Sequence, residues 1–173
     1  MITMLQRAEG RLLRRTFAVL AVLLLLLGAT GAGGETTMTV TREVAELDEA
    51  GWFVPGTTEL TFTLTFTLGG DMGNVTALAW EDELPTGWTY KASSLVATPA
   101  PFIVPADGAS GTLEFAWLTI PTFPFTMTYV INVPPDPILP ATVSGQAEFR
   151  LLGPAQFSNI VENTFRLEPA RLT

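Results

Sequence analysis

The chain has 173 residues, no cysteine and no histidine, is 47% hydrophobic and 15% charged, and carries a net charge of −8. That length allows one domain and not comfortably two, and the missing residue types remove imidazole bases, thiolate nucleophiles, disulfides, lipidated cysteines and the usual zinc and copper ligands. The acidity excludes nucleic acid as a partner, because a surface of this sign repels phosphate backbones.

In chain order the first element is a leader. Arg7, Arg11, Arg14 and Arg15 precede the uncharged run "FAVLAVLLLLLGATGAG" from Phe17 to Gly33, whose exit holds Ala29, Gly31, Ala32 and Gly33. A basic start, an apolar run and small residues at the exit describe a secretory signal peptide, read here as an N-terminal signal helix over 1–33 that is cleaved. The run is short for a membrane span. Its leucines, Leu23 to Leu27, suit the general secretory route better than the twin-arginine route that "RRTF" suggests. The mature part, 34–173, keeps five basic and sixteen acidic residues, a net charge of −11. With no disulfide it must hold together by burial, and about 140 residues bury roughly two thirds of the unfolded surface.

Beyond the leader, apolar residues recur with period two, the signature of half-buried strands. "TTMTVTREVAEL", 36–47, opens the domain. "ELTFTLTFTL", 59–68, sets Leu60, Phe62, Leu64, Phe66 and Leu68 against threonines. "VTALAWEDEL", 75–84, and "WTYKASSL", 88–95, follow. "GTLEFAWL", 111–118, buries Leu113, Phe115 and Trp117, and "PFTMTYVINV", 124–133, buries Phe125, Met127, Tyr129, Ile131 and Val133. "TVSGQAEFRLL", 142–152, puts Val143, Gly145, Ala147, Phe149 and Leu151 on one face, and "NTFRLE", 163–168, is a last short candidate. The pattern predicts one all-β domain over 34–173, an antiparallel immunoglobulin-like β-sandwich of seven or eight strands. Proline-bearing stretches at 96–110, 119–125 and 134–140 read as loops.

The stretch "LAWEDELPTGWTYKASS" followed by "GTLEFAWLTIPTFPFTMTYVINVP" resembles the conserved-repeat, immunoglobulin-like domain of bacterial and archaeal surface proteins. That family's D-x-L-P-x-G corner and following aromatic are matched by Asp82, Leu84, Pro85, Gly87 and Trp88, and its later strands by Trp117, Pro121 and Tyr129. The resemblance covers residues 38–152 and implies a non-enzymatic module of exported proteins. The single copy and "GGDMGN", in place of an Asn-Thr-Gly turn, point to a small free-standing secreted subunit rather than a stalk of repeats.

The candidate sites are few. In the turn motif, Asp82 at the end of its strand is expected to accept backbone N–H groups from the following turn, with Leu84-Pro85-Thr86-Gly87 as a type I turn and Glu81 and Glu83 facing water. A glycosidase would need two carboxylates across a sugar with one held protonated, and nothing else in the sequence supports that, so no catalytic residue is assigned. No cofactor is assigned either; calcium is the one ion the loop acids Asp48, Glu49, Asp71, Asp107, Glu81 or Glu83 and Asn74 could hold. Trp52, Trp88 and Phe102 are the aromatics that could face a ligand such as a glycan, whereas Trp80 and Trp117 read as core. Lys91 falls on a polar face, against a buried crosslink to asparagine, and Asn74-Val75-Thr76 matches a glycosylation sequon. The function expected is a structural or interaction module of the cell surface or extracellular space. Its partner would be a protein or another surface component, the chain itself included, with the membrane touched only through an uncleaved leader. The alternatives are a carbohydrate- or calcium-binding module, or a subunit that polymerises by β-strand addition through 36–44 or 163–168.

Overall fold

The computed structural model describes residues 35–48, 50–70 and 74–167. The expected leader, 1–33, and two of the acids considered for calcium, Glu49 and Asp71, lie outside them. The described residues form nine strands and no helix: β1 Thr37–Val44, β2 Glu59–Gly69, β3 Ala77–Glu83, β4 Thr89–Ala97, β5 Thr112–Trp117, β6 Phe125–Asn132, β7 Ala141–Arg150, β8 Ala155–Phe157 and β9 Val161–Phe165.

Alternation explains where each strand lies. Threonines on the wet face and large apolar residues on the dry face favour extended backbone that is buried on one side only. Such strands pair antiparallel into two sheets, ordered β1-β2-β6-β4 and β5-β3-β7, with β8 and β9 both on the outer side of β7. This is the A-B-E-D and C-F-G order of an immunoglobulin-type sandwich, with β5 added beside β3. Leu60, Phe62, Leu64 and Phe66 of β2 and Met127, Tyr129 and Ile131 of β6 are fully buried, and face Trp80, Phe115, Val143, Ala147 and Phe149 of the other sheet. Phe66 stacks on Phe125 with centroids 4.5 Å apart and meets Trp80 edge-on at 5.6 Å. Each large apolar side chain buried this way contributes about 1.5–3 kcal/mol.

The last strand differs from expectation. Instead of one run at 163–168, β8 and β9 pair with successive stretches of β7, Glu148–Arg150 and Ala141–Gly145. Between them Ser158 keeps the ladder joined: its N–H donates to Ala147 O at 3.0 Å and its Oγ accepts from Ala147 N at 3.0 Å. Three residues are too few to show alternation, so β8 left no sequence signal.

The open edges of β1, β4 and β5 are blunted. Asn159 clasps the outer edge of β1, accepting from Val40 N (2.8 Å) and donating to Val40 O (2.9 Å). Phe53 N donates to Arg166 O at 2.8 Å, beside the end of β9. On the opposite side the 98–111 loop straps both edge strands. It exchanges backbone bonds with Tyr90 of β4 through Gly108 N and Ala109 O, and with Ala116 of β5 through Phe102 and Ile103. Both terminal strands pair within their own domain, and strand addition would first have to displace these contacts.

Candidate functional site

The chemically distinctive residues meet in the core. On β1, alternation turns Met38, Val40 and Arg42 inward, so a guanidinium enters the apolar interior with its side chain fully enclosed. On β3, the same rule turns Leu78, Trp80 and Asp82 inward. A lone charge there would be very costly, and the two are paired. Arg42 Nη2 donates to Asp82 Oδ1, while Asp82 Oδ2 accepts from Trp80 Nε1 (2.9 Å) and from the Tyr129 hydroxyl. Arg42 Nη1 donates to Val143 O and to Asn163 Oδ1, each at 3.2 Å. The guanidinium carbon also lies 5.0 Å from the Phe62 ring centroid and 5.7 Å from that of Trp80, within cation–π range. One donor, Arg42 Nε, is buried without a hydrogen-bond partner.

Gly145 makes room for this cluster. It stands opposite Asp82 in the β3–β7 register, and a Cβ there would overlap Asp82 Oδ1, Trp80 and Arg42 Nη2. Six strands of both sheets (β1, β2, β3, β6, β7 and β9) thus converge on one ion pair.

Burial dominates the electrostatics. It pushes the Asp82 carboxyl up to about 7, against the pull of Arg42 and the Trp80 N–H. It also pushes the Arg42 guanidinium down, against the pull of Asp82. A carboxyl poised near neutrality is the property of many general acids, but Asp82 has no exposed surface and cannot touch a substrate. The arrangement joins sheets; it does not present a reactive group.

This corrects the expected role of Asp82. It lies inside β3 and holds Arg42, Trp80 and Tyr129 rather than the turn. The turn itself sits one residue later than expected: Trp88 N donates to Pro85 O at 3.1 Å, and Gly87, at φ +85°, occupies the third position, as a type II turn requires. Leu84 is buried and its N–H donates to Gly111 O at 3.0 Å. Outside the sheet, Glu81 and Glu83 are exposed; Glu81 stands opposite Glu114, and Glu83 accepts from Thr112 Oγ1 at 2.6 Å. Burial, then repulsion from Glu81, raises the Glu114 carboxyl.

The ligand-facing aromatics separate. Trp88 is a second correction: it is buried, its ring tilted against Phe165 at 5.1 Å, because the turn delivers it into the base of the core. Trp52 is half-buried in the β1–β2 loop, and Phe102 is 72% exposed on the strap. Phe53, next to Trp52, bonds beside the Ala141 end of β7, whereas Phe102 lies near Ala116, aligned through Ala79 with Glu148. Seven residues of strand, about 23 Å, separate these ends, so the two rings form no common platform. Among the described residues no three acidic side chains converge as metal ligands. Asp48 accepts from the N–H groups of Ala50 and Trp52, and Asp107 accepts from Ala92 N. Lys91 pairs with Glu59 at 2.7 Å, in solvent.

The signal for the cluster was present and unread: Arg42 and Asp82 each occupy an inward position of an alternating strand, and opposite charges at two such positions imply a buried pair.

No protein-family model matches the chain, and no curated protein does. Among solved structures it is similar to the collagen-binding domain of a Staphylococcus aureus adhesin, at 11% identity and a TM-score of 0.40, covering 76% of this chain and 96% of that one. It is also similar to a 35 kDa C-terminal fragment of the major pilin of Streptococcus agalactiae (13%, TM-score 0.48, 75% and 56%). A third is the full-length major pilin of Corynebacterium diphtheriae (13%, TM-score 0.45, 72% and 34%). The chain spans nearly all of the first, about half of the second and a third of the last. At these scores the fold assignment rests on the strand order itself.

Proposed function

We propose that the protein is an exported, non-catalytic structural or interaction module of the cell surface or extracellular space, built on an immunoglobulin-like domain of the conserved-repeat kind. The observation that carries this reading is the Arg42–Asp82 cluster. Among the described residues, the carboxyl that burial raises to about 7, Asp82, is enclosed and committed to holding two sheets together. Such a cluster stiffens a module with no disulfide to rely on. The leader supports export, and the blunted edges favour a discrete unit over a polymer made by strand addition.

The test is export with processing. In a bacterial host the tagged full chain should appear outside the cytoplasm, with a new N-terminus by mass spectrometry among residues 29–34. Leu24→Arg, which breaks the apolar run, should hold it inside at full length. Equal distribution of both chains, unprocessed, would refute the reading.

A further inference from the structure

The two ends of the sandwich differ in charge. The turn after β2, the β5–β6 loop and the turn after β7 lie at one end, beside the Thr37–Gly69, Phe66–Phe125 and Ala77–Arg150 pairings. Thr76 ties two of them: its N–H donates to Arg150 O at 2.7 Å and its hydroxyl to Leu151 O at 2.9 Å. Leu68, Val75, Ile120, Pro121 and Phe123 give a groove of about 400 Å³ at this end its apolar walls. Leu118 and Leu152, on the same loops, are 74% and 96% exposed. By sequence, 68–76, 118–124 and 150–155 carry only two charges, Asp71 and Arg150. Arg150 pairs with Glu148 at 3.1 Å, and Asp71 lies outside the described residues. At the other end, where Val133 N donates to Thr58 O at 2.8 Å, 45–58 and 133–140 carry Glu46, Asp48, Glu49 and Asp136 and no cation.

We propose that the apolar end is a membrane-docking surface, seated at the headgroup–acyl boundary of a phospholipid bilayer. The point where the chain enters the domain selects the occupant. Thr37 pairs with Gly69, next to Leu68 of the groove, and a Cβ on Gly70 would overlap Glu35 O, so Glu35 sits at the rim of this end. Gly34 alone separates Glu35 from the uncharged run Phe17–Gly33. Two residue steps span at most about 7 Å, so a run held in lipid delivers this end, and not the acidic one, to the bilayer surface. A second copy or another protein has no such tie to the point of entry. The charge pattern agrees, since interfacial binding scales with the apolar area buried. β2, eleven residues long, sets the acidic end about 36 Å away, well beyond the Debye length over which lipid phosphates would repel it. The docking rests on the leader of the module reading and extends it: the folded domain touches the membrane as well, and cleavage turns a held contact into a reversible one.

The chain has no cysteine, so a thiol-reactive fluorophore can be placed at single positions. In the full chain reconstituted with phosphatidylcholine vesicles, a label on Leu118→Cys or Leu152→Cys should be quenched by doxyl-labelled lipid. The quenching should be about threefold stronger than on Ile138→Cys, which is 86% exposed at the acidic end. Thr122→Asp, a charge at the exposed mouth of the groove, should abolish the excess without changing thermal unfolding. A Gly/Ser linker inserted between Gly34 and Glu35 should leave the excess in place. Equal quenching at the three positions would overturn the proposal. So would an excess indifferent to Thr122→Asp or lost with the longer tether, since the leader would then merely hold this end near lipid. Shielding of both labels from lipid that grows with the number of chains per vesicle would also overturn it, by giving the groove to a second copy. A chain that binds the vesicles with equal quenching keeps the leader and loses the docking; a chain that does not bind them loses both.

Discussion

The two sides of the sandwich close their open strands by different means. On the β1–β9 side, polar side chains do it: Asn159 clasps Val40 from outside, and Arg42 reaches through the core to Asp82. On the β4–β5 side a proline-rich strap supplies backbone partners and leaves its apolar side chains in water. The first solution fixes one register, since only one alignment pairs the buried charges; the second satisfies backbone groups without any buried charge. The difference teaches that the two sides carry different shares of the stability, and mutations should split accordingly.

The largest expected effect lies on the β1–β9 side. Gly145→Val would drive a branched side chain into Asp82, Trp80 and Arg42, and should cost about 4 kcal/mol or more by overpacking and by parting the buried pair. Urea unfolding, or failure to recover soluble protein, would show it; a midpoint near wild type would break the comparison.

Next comes pH. With Asp82 raised to about 7 when folded, from 3.8, the folded chain binds the extra proton between those values. Its stabilising contribution is full below about pH 3.8 and is lost as pH rises through about 7. The groups facing the carboxyl are Arg42 from β1, Trp80 from β3 and Tyr129 from β6. The urea midpoint should fall from about pH 5 to about pH 8, and fall less in Asp82→Asn. Self-repulsion among the surface acids has the same sign, so the difference between the two proteins is the diagnostic quantity.

Asn159→Ala removes both bonds to Val40 and should cost about 1–2 kcal/mol, with faster amide exchange confined to β1. The smallest effects belong to the other side: Phe102→Ala should change stability by less than about 0.5 kcal/mol, and Lys91→Ala by less than about 1 kcal/mol. A large loss in either would show that the exposed face also supports the fold.

Much of this architecture is legible in the sequence. "ELTFTLTFTL" and "PFTMTYVINV" declare their buried faces, because a half-buried strand must alternate. The strap is visible as a proline-bearing run too long for a hairpin. The core cluster is harder, because Arg42 and Asp82 lie forty residues apart on different sheets and only the fold brings them together. Gly145, between Val143 and Ala147 on an inward face, was the companion clue that something bulky sits opposite. Trp88 misled because it follows a turn, although its shared parity with Tyr90 already placed it on the buried face. The shift of the turn by one residue reflects Gly87, whose positive φ suits the third position.

The central claim is that the charged cluster is a pin between sheets, and a double-mutant cycle of urea unfolding at pH 8, above the raised Asp82 value, on Arg42→Met and Asp82→Leu tests it most directly. Each single change should cost about 3–5 kcal/mol by leaving one buried charge unpaired, while the double variant should return to within about 1–2 kcal/mol of wild type. Single variants as stable as wild type, or losses that simply add, would contradict it.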